Sequence, residues 1–532
     1  MSVLDRTPRS AVPDDASALI EEARRRTRRR WRQRGLLLAL ALIAGGALAY
    51  ALGSGGSPAT IAETSSQPFV NLRAFAGHGE LAFVSRGRLW VLDGSAGTLR
   101  RLRTPRGFTP ASPSFSSDGR WLAWLAQSPS YATPSRLWIA RADGSHAHEV
   151  TRLPVDQLVG WSPTADVVAV VADSLVSYPY GHPGLGPTTV SLVHPDGVVR
   201  RLLKLRNVYA LAGSVGSAAW SPSGDQLAVS TYDDLPKGGT TVRAYPVGGG
   251  SPTTWFTIAN RSRLSGACSG SGCATAAIAD LAGWWRGWGI AFWAFTGGMS
   301  HNNDSTPLYV LSRPGAAPDR IAQTLSDGTT DAVAPGPDDA LALVASYADG
   351  REYGQGKVIE HCDASTRACS AIPGGSVWRG SFDQPCIAEL PCPFPHPAAG
   401  APGSGVSLDP AWSPTAPLLA YVKAPYALTG GNATTAWYVA HELYLWDSRT
   451  GATRRVAAID GASVPTWSSD GRELLYVSGD GLWLAPASGG KPVEIEHPLF
   501  PATEWRATPV IGSISYYGQI AWGAQFAWRS PS

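Results

Sequence analysis

Short apolar runs recur along this chain, and each follows an aromatic residue and a tight-turn signal. The signal reads Ser-Pro or Ser-Ser-Asp-Gly, and the apolar run after it, such as residues 122–125, has the length of a β-strand. Clear copies begin at Phe115, Trp161, Trp220, Trp412 and Trp467. A unit repeated in this way buries its apolar faces only by packing against the next copy. The pattern predicts an all-β fold, a β-propeller of four-stranded antiparallel blades.

The number of copies sets the size of the ring. Two degenerate copies, at Trp284 and Pro335, bring the complete units between about residues 107 and 495 to seven. Residues 80–102 supply strands two to four of another unit that lacks its first strand. The final residues 526–531 resemble the first-strand signal, so we expect a strand at about 519–530 to complete an eighth blade and close the ring. Seven blades is the alternative if a degenerate copy is not a real blade.

The first 79 residues differ in composition from the repeats. Residues 1–35 hold ten Arg and five acidic residues, and an uncharged apolar stretch follows at 36–53. At 1.5 Å per residue this stretch extends about 27 Å, enough to cross a bilayer core. The arginines before it place the N-terminus in the cytoplasm. We predict a cytoplasmic basic tail (1–35), a single transmembrane signal-anchor helix (36–53), a linker (54–79) and an extracytoplasmic propeller (80–532), with a cleaved signal peptide as the alternative.

Charge and cysteine usage restrict the partners and the compartment. Beyond residue 35 the chain holds 34 basic and 36 acidic residues, so nothing in its charge favours nucleic-acid binding. All six cysteines follow the apolar stretch. They form the close pairs Cys268/Cys273, Cys362/Cys369 and Cys386/Cys392. We expect local disulfides in an oxidising compartment, the middle pair across one hairpin, although six thiols allow 15 connectivities. A zinc site, the alternative, lacks paired His and CxxC spacing, so no metal and no cofactor is predicted.

The long insertions of the predicted propeller fall on one face of the ring. They lie between strands two and three or between blades, as at 260–276 and 374–406, and both kinds of connection emerge on the same face. We call it the long-loop face, and the opposite one the short-turn face. Loops on a rigid scaffold commonly form binding surfaces. The binding candidates, most of them in these loops, are Tyr178, Tyr180, His182, Asp233, Asp234, Arg286, His301, Asn302, Asn303, Asp304, Arg351 and Tyr353. Because the ring should begin at a second strand, we expect the chain to reach it from the short-turn face.

The Trp-Ser-Pro or Ser-Asp-Gly signal, the apolar strand and a following Leu-Tyr or Leu-Trp resemble the repeat of TolB-type, WD-like β-propellers. The resemblance covers about residues 80–495 and the last dozen residues, with good matches at 115–144 and 467–485. It implies an exported, often envelope-associated scaffold that binds proteins or small ligands. Related repeats also form the propeller of prolyl-oligopeptidase-like enzymes. The repeated Ser, Pro, Asp and Gly form turns, so the resemblance supplies no catalytic residue.

Two functions of different classes remain. The first, which the sequence favours, is a membrane-tethered scaffold that binds a protein, peptide or glycan through the long-loop face without turnover. The alternative is a propeller enzyme, a lyase or hydrolase acting on envelope polysaccharide or peptide. The chain shows no Gly-x-Ser-x-Gly elbow, His-Glu-x-x-His motif or phosphate-binding glycine loop. Convergent carboxylates and His with displaced pKa values at the channel would favour the enzyme.

Overall fold

The computed structural model describes residues 67–531 apart from 129–133, 151–153, 174–175, 178–182, 185–187, 206–208, 211–217, 234–238, 260–263, 266–276, 297–306, 322–324, 327–332, 347–356, 374–385, 388–404, 426–437, 457–460 and 500–521. The predicted basic tail, membrane span and most of the linker therefore lie outside the described residues. Within the described ranges, no helix is long and apolar enough to cross a membrane.

Eight antiparallel sheets follow one another along the chain, as the repeat count predicted. Blade 1 contains β2 (Glu80–Ser85), β3 (Arg88–Asp93), β4 (Thr98–Arg101) and β39 (Phe526–Arg529); blade 2 contains β5 (Thr109–Phe115), β6 (Trp121–Gln127), β7 (Arg136–Arg141) and β8 (His148–Glu149); blade 3 contains β9 (Gln157–Trp161), β10 (Val168–Asp173), β13 (Thr188–Val193) and β14 (Val199–Leu205); blade 4 contains β15 (Tyr209–Ala210) and β16 (Ala218–Trp220) as one interrupted first strand, then β17 (Gln226–Asp233), β18 (Gly239–Pro246) and β19 (Thr253–Ala259).

The two degenerate copies are real blades. Blade 5 contains β21 (Ala277–Trp285), β22 (Gly289–Thr296), β23 (Leu308–Leu311) and β24 (Asp319–Arg320); blade 6 contains β25 (Leu325–Ser326) with β26 (Val333–Pro335), then β27 (Leu341–Ser346), β28 (Lys357–Cys362) and β29 (Cys369–Ala371); blade 7 contains β31 (Gly405–Trp412), β32 (Leu418–Pro425), β33 (Glu442–Asp447) and β34 (Thr453–Arg455); blade 8 contains β35 (Ser463–Trp467), β36 (Glu473–Ser478), β37 (Gly481–Pro486) and β38 (Val493–His497). Short 3-10 turns lie at Pro337–Asp339 and Trp522–Ala524.

The ring closes through the last strand of the chain. β39 pairs with β2 in blade 1, with Glu80 opposite Arg529 and Phe83 opposite Phe526. The Arg529 guanidinium lies 2.7 Å from the Glu80 carboxylate across this joint. The predicted eighth blade is therefore confirmed, with its closing strand at the end of the predicted range.

Buried apolar side chains between adjacent blades hold the ring together. Each strand presents side chains to both neighbouring blades, and every pair of adjacent blades shares a buried apolar cluster. The repeated Trp adds a hydrogen bond to this contact. Trp161 Nε1 donates to the Ser114 carbonyl of the preceding blade at 2.9 Å, and Trp467 Nε1 donates to the Ala411 carbonyl at 2.9 Å. The aromatic residue fills the wedge between blades, and in these two copies it also satisfies a carbonyl group of the preceding blade.

The Ser and Asp of the repeat stabilise turns on the short-turn face. Ser116 Oγ donates to Asp118 Oδ1 at 2.7 Å and accepts from the Trp121 amide at 3.0 Å. Asp118 Oδ1 also accepts from the Arg120 amide at 2.9 Å, and Gly119 has φ 69°. Blade 8 repeats this arrangement. The turn chemistry explains the motif without a catalytic role.

The ring begins before residue 80, in a leading segment formed by residues 67–79. Its strand β1 (Phe69–Val70) adds to the outer edge of blade 8, with Phe69 opposite His497 and Val70 opposite Glu496. Since β38 ends at the long-loop face and β1 runs antiparallel to it, the chain arrives at the long-loop end. The expected approach from the short-turn face is wrong, because this added strand precedes β2. Fully buried Phe75 anchors the rest of the segment.

Parts of the long insertions form small sheets of their own. The strands β20 (Leu264–Ser265) and β30 (Cys386–Ile387) come from the two long inter-blade insertions and pair with each other. A smaller hairpin, β11 (Val176–Ser177) with β12 (Pro183–Gly184), lies in the insertion of blade 3. The insertions therefore contain regular structure where they are described.

One of the three predicted cysteine pairs is confirmed. Cys362 and Cys369 form a disulfide across the β28–β29 hairpin, as the sequence predicted. The other two pairs cannot be compared with the structure in the same way: Cys268, Cys273 and Cys392 lie outside the described residues, and only the backbone of Cys386 is described, as part of β30. The disulfides Cys268–Cys273 and Cys386–Cys392 therefore stay predictions.

Candidate functional site

Most of the binding candidates from the sequence lie outside the described residues: Tyr178, Tyr180, His182, Asp234, His301, Asn302, Asn303, Asp304, Arg351 and Tyr353. Asp233 ends β17 at the long-loop end of blade 4. Arg286 is exposed in the turn between the first two strands of blade 5. That turn belongs to the short-turn face, so Arg286 lies apart from the insertions. These candidates therefore remain predictions.

A different group of polar residues lies in the long-loop half of the ring, between blades 7 and 8. It begins with two first-strand residues in left-handed backbone conformations, Asp409 at φ 51° and Val464 at φ 46°. Each lies at a β-bulge, three residues before the repeat Trp of its blade. The Val464 amide donates to Asp409 Oδ2 at 3.0 Å. A β-branched residue at positive φ is strained, and such strain concentrates at functional sites.

A Ser–His contact lies beside these two bulges. Nδ1 of His441 is 3.3 Å from the hydroxyl of Ser463, the first residue of β35. The His441 ring packs on Tyr438 with centroids 4.9 Å apart, and the Gly461 amide donates to the His441 carbonyl at 3.0 Å. We call Asp409, Tyr438, His441, Ser463 and the Val464 amide the blade 7–8 cluster.

The side chains of the cluster are buried, although the chain beside them reaches the surface. The four side chains of the cluster are between 0% and 5% exposed, whereas Val439, between Tyr438 and His441, is 41% exposed. The His441 amide donates to the Tyr438 carbonyl, which closes a turn. The buried cluster therefore lies within one turn of the protein surface.

Burial controls the protonation states of the cluster. It lowers the pKa of His441 from 6.5 to about 3, so the imidazole is neutral at physiological pH. Burial, followed by the nearby Asp409 carboxylate, raises the pKa of Tyr438 well above its usual value, so the phenol keeps its proton. A neutral imidazole accepts a proton and a phenol donates one. The arrangement thus holds a base and an acid next to a hydroxyl.

Blade 5 places a second buried carboxyl group on a first strand. Asp280 is 4% exposed, and burial raises its pKa well above the ordinary value. Because every first strand borders the axis of the ring, Asp280 and Asp409 both lie on the innermost layer. The repeat pattern did not single out either residue. A possible signal was an acidic residue three or four positions before the repeat Trp, within an otherwise apolar strand.

A cleft of about 700 Å³ lies elsewhere, on the short-turn face where blades 7, 8 and 1 meet. His78 Nδ1 and Glu473 Oε2 are 2.7 Å apart in this cleft, and Arg454, Asp470 and Arg472 also line it. Asp470 and Arg472 are largely exposed and 3.7 Å apart. Such charges are well solvated and largely cancel one another. We therefore place the candidate chemistry at the blade 7–8 cluster, where burial shifts the proton equilibria.

The described residues bring one set of potential metal ligands close together. Glu360, Cys362 and Cys369 form one group within mutual reach. Both sulfur atoms of this group belong to the disulfide, so it offers no thiolate.

No protein-family model matches the chain, and no curated protein matches it. A prolyl endopeptidase structure matches at 12% identity and a TM-score of 0.43 over 73% of this chain, which spans 50% of that protein. The β-propeller domain of the Trilobed protease from Pyrococcus furiosus, described as having an open velcro topology, matches at 12% identity with a TM-score of 0.36. The match covers 72% of this chain and 96% of that domain. An oligogalacturonate lyase in complex with manganese matches at 13% identity with a TM-score of 0.42, and the match covers 81% of this chain and 100% of the lyase. This likeness concerns the fold alone.

The sequence favoured a binding scaffold without turnover, and none of the three structures named above is described as one. The similar solved structures are a peptidase, the propeller domain of a protease and a lyase. The expectation was wrong because the repeat reports only turns and inter-blade packing, and neither distinguishes a scaffold from an enzyme.

Proposed function

We propose that this chain is a propeller enzyme, a lyase or hydrolase that acts by acid–base chemistry on a polysaccharide or peptide of the cell envelope. The blade 7–8 cluster is its reacting centre. The observation that carries the proposal is the contact of two strained first-strand bulges beside a neutral His, a protonated Tyr and a Ser hydroxyl.

Each member of the cluster has a role in this proposal. His441 takes the proton, from water in hydrolysis or from a substrate carbon in elimination, and Tyr438 returns one to the leaving oxygen or nitrogen. Ser463 orients the imidazole through Nδ1. Asp409 accepts a hydrogen bond from the Val464 amide and so holds two neighbouring blades in place relative to each other. A polar substrate that lifts the segment 438–441 reduces the burial of His441, which raises its pKa toward the range useful for a base.

The location follows from residues that precede the ring. We propose that residues 36–53 anchor the protein in the membrane with the N-terminus in the cytoplasm, and that the ring is a TolB-type propeller outside it. The disulfide Cys362–Cys369 supports an oxidising compartment. The partners are then the membrane and an envelope polymer, and nucleic acid is not among them. A reporter fused after residue 531 should be active only when it is exported.

Turnover by the purified full chain tests the proposed activity. Acidic and neutral polysaccharides and a peptide library serve as substrates, and products are identified by mass spectrometry. His441→Gln should reduce kcat by about 10²-fold or more, the usual contribution of a general base. His361→Gln is the control, because His361 is a partly buried histidine outside the cluster that packs on Trp412 and Trp446. Equal loss of activity in both variants, or full activity in His441→Gln, contradicts the assignment.

A further inference from the structure

A buried carboxyl group lies at the joint between the last blade and the first. Glu496, on β38, is 0% exposed. β38 is flanked on its outer edge by β1, where Val70 lies opposite Glu496. Strand β2 of blade 1 approaches from the side through Ser85, whose hydroxyl donates to the Pro498 carbonyl at 2.5 Å. The group therefore lies at the contact of three elements, the leading segment, blade 8 and blade 1.

Neither oxygen of the Glu496 carboxyl accepts a hydrogen bond from any residue that the structure describes. The Ser85 hydroxyl is near enough to favour the charged form, but its hydrogen goes to Pro498. A buried carboxylate without donors costs several kcal/mol or more, so the group stays protonated while the joint is closed.

The charges around Glu496 come from every element packed against it. Blade 8 contributes Asp480 from the turn before β37 and Glu494 from the same strand, and blade 1 contributes Arg86. Glu494 is itself 3.1 Å from His497 Nδ1. Burial is the largest cause that raises the pKa of Glu496, and the two acidic neighbours raise it further, whereas Arg86 and Ser85 oppose the shift. The leading segment presents Val70 and Asn71 here and no charge.

The leading segment is the element least firmly held at this joint. Strand β1 is two residues long and presents Phe69 at 47% exposure, stacked on His497 with centroids 4.8 Å apart. The Asn71 amide donates to the Ile495 carbonyl at 2.8 Å. The β39–β2 pairing, by contrast, spans four residues and carries the Arg529–Glu80 ion pair. Release of β1 is therefore the local opening with the smallest free-energy cost that lets water reach the joint.

We propose that Glu496 is a proton-operated latch for the leading segment: the neutral carboxyl group lets β1 dock on blade 8, and loss of its proton as the pH rises releases β1. The sign follows from linkage. An acid whose pKa is higher in the closed state than in the open one favours closure at low pH. Between the two pKa values, the open population rises up to about tenfold per pH unit.

Hydrogen exchange of the full chain, measured by mass spectrometry on peptides covering residues 67–79 and 493–499, tests the latch. Rates are divided by those of an unstructured peptide at each pH, which removes the intrinsic effect of hydroxide. In the wild type, protection of both peptides should fall by up to about tenfold per pH unit above the ordinary carboxyl pKa. In Glu496→Gln the protection should not change with pH.

Two further variants separate the latch from a general effect of buried acids. Asp280→Asn removes another buried acid with a raised pKa, in blade 5, and should keep the wild-type pH dependence of the leading segment. Glu496→Met also removes the carboxyl group and should match Glu496→Gln, so the test survives if one variant folds poorly. A flat wild-type profile, or an unchanged slope in both Glu496 variants, overturns the proposal. So does loss of the slope in Asp280→Asn.

Discussion

His441 should make the ring sensitive to acid, and the effect can be isolated by one substitution. Its pKa falls from 6.5 in the unfolded chain to about 3 in the folded one, because burial disfavours the imidazolium. Above pH 6.5 both states are neutral and the group adds no pH dependence. Below it the unfolded chain binds a proton that the folded ring does not. Stability is therefore lost as the pH falls, by about 1.4 kcal/mol per pH unit.

The full difference of about 3.5 pH units corresponds to about 5 kcal/mol, of which about 3 kcal/mol is expressed between neutral pH and about pH 4. The wild-type curve alone does not show this, because Asp280 and Glu496 have raised pKa values and act with the opposite sign. Comparison with His441→Gln removes their contribution, since both proteins contain those acids. The amide of Gln preserves a polar partner for Ser463.

Urea unfolding of the wild type and His441→Gln across this pH range provides the measurement. At neutral pH the free energy of unfolding of the wild type should equal or exceed that of His441→Gln. Near pH 4 it should be lower than that of the variant by about 2–3 kcal/mol. A stability difference that stays constant within about 0.5 kcal/mol over the range refutes the reasoning. It would mean that His441 is solvated or paired in its charged form, and the assignment of His441 as the base would no longer be supported.

Further substitutions test the backbone strain at Val464, the inter-blade hydrogen bond of Trp161 and the disulfide. Val464→Gly should be more stable than Val464→Ala in urea by about 1 kcal/mol, the reverse of the usual order in strands, because φ 46° favours glycine. Trp161→Phe should lose about 1–2 kcal/mol in thermal unfolding, since the Ser114 carbonyl loses its donor. Replacing both Cys362 and Cys369 by Ala should cost about 2 kcal/mol, and a reducing agent should have the same effect on the wild type but none on the variant.

The ring was predictable because its determinants are repeated. Aromatic residues at the Trp161 position fill the wedge between neighbouring blades, and Trp161, Trp220 and Trp467 also donate a hydrogen bond there, so the sequence shows this determinant several times. The closing strand was predictable for the same reason, since Trp528 repeats the signal. Strand β1 was not, because two residues carry no period and their pairing depends on the finished edge of blade 8.

The blade 7–8 cluster was not predictable for a related reason. Its bulges occupy one position of the repeat, but the residues there are Asp409 and Val464, neither of them the glycine that signals a positive φ. His441 closes a long insertion, and only the folded ring brings it to Ser463 of the next blade. The sequence predicted which face has the insertions, whereas the contacts depend on how two blades meet.

The two faces of the ring use their polar side chains in different ways, and this difference directs the search for function. On the short-turn face, hydrogen bonds hold acidic groups in the charged form: Ser365 and Thr366 lower the pKa of Asp363 to about 2. The oxygens of such a carboxylate are committed to the turn and exchange no proton near neutral pH. At the long-loop end, burial instead holds His441, Tyr438 and Glu496 in their neutral forms. A group kept neutral by burial changes state when water or a polar ligand reaches it, so proton chemistry belongs at the long-loop end.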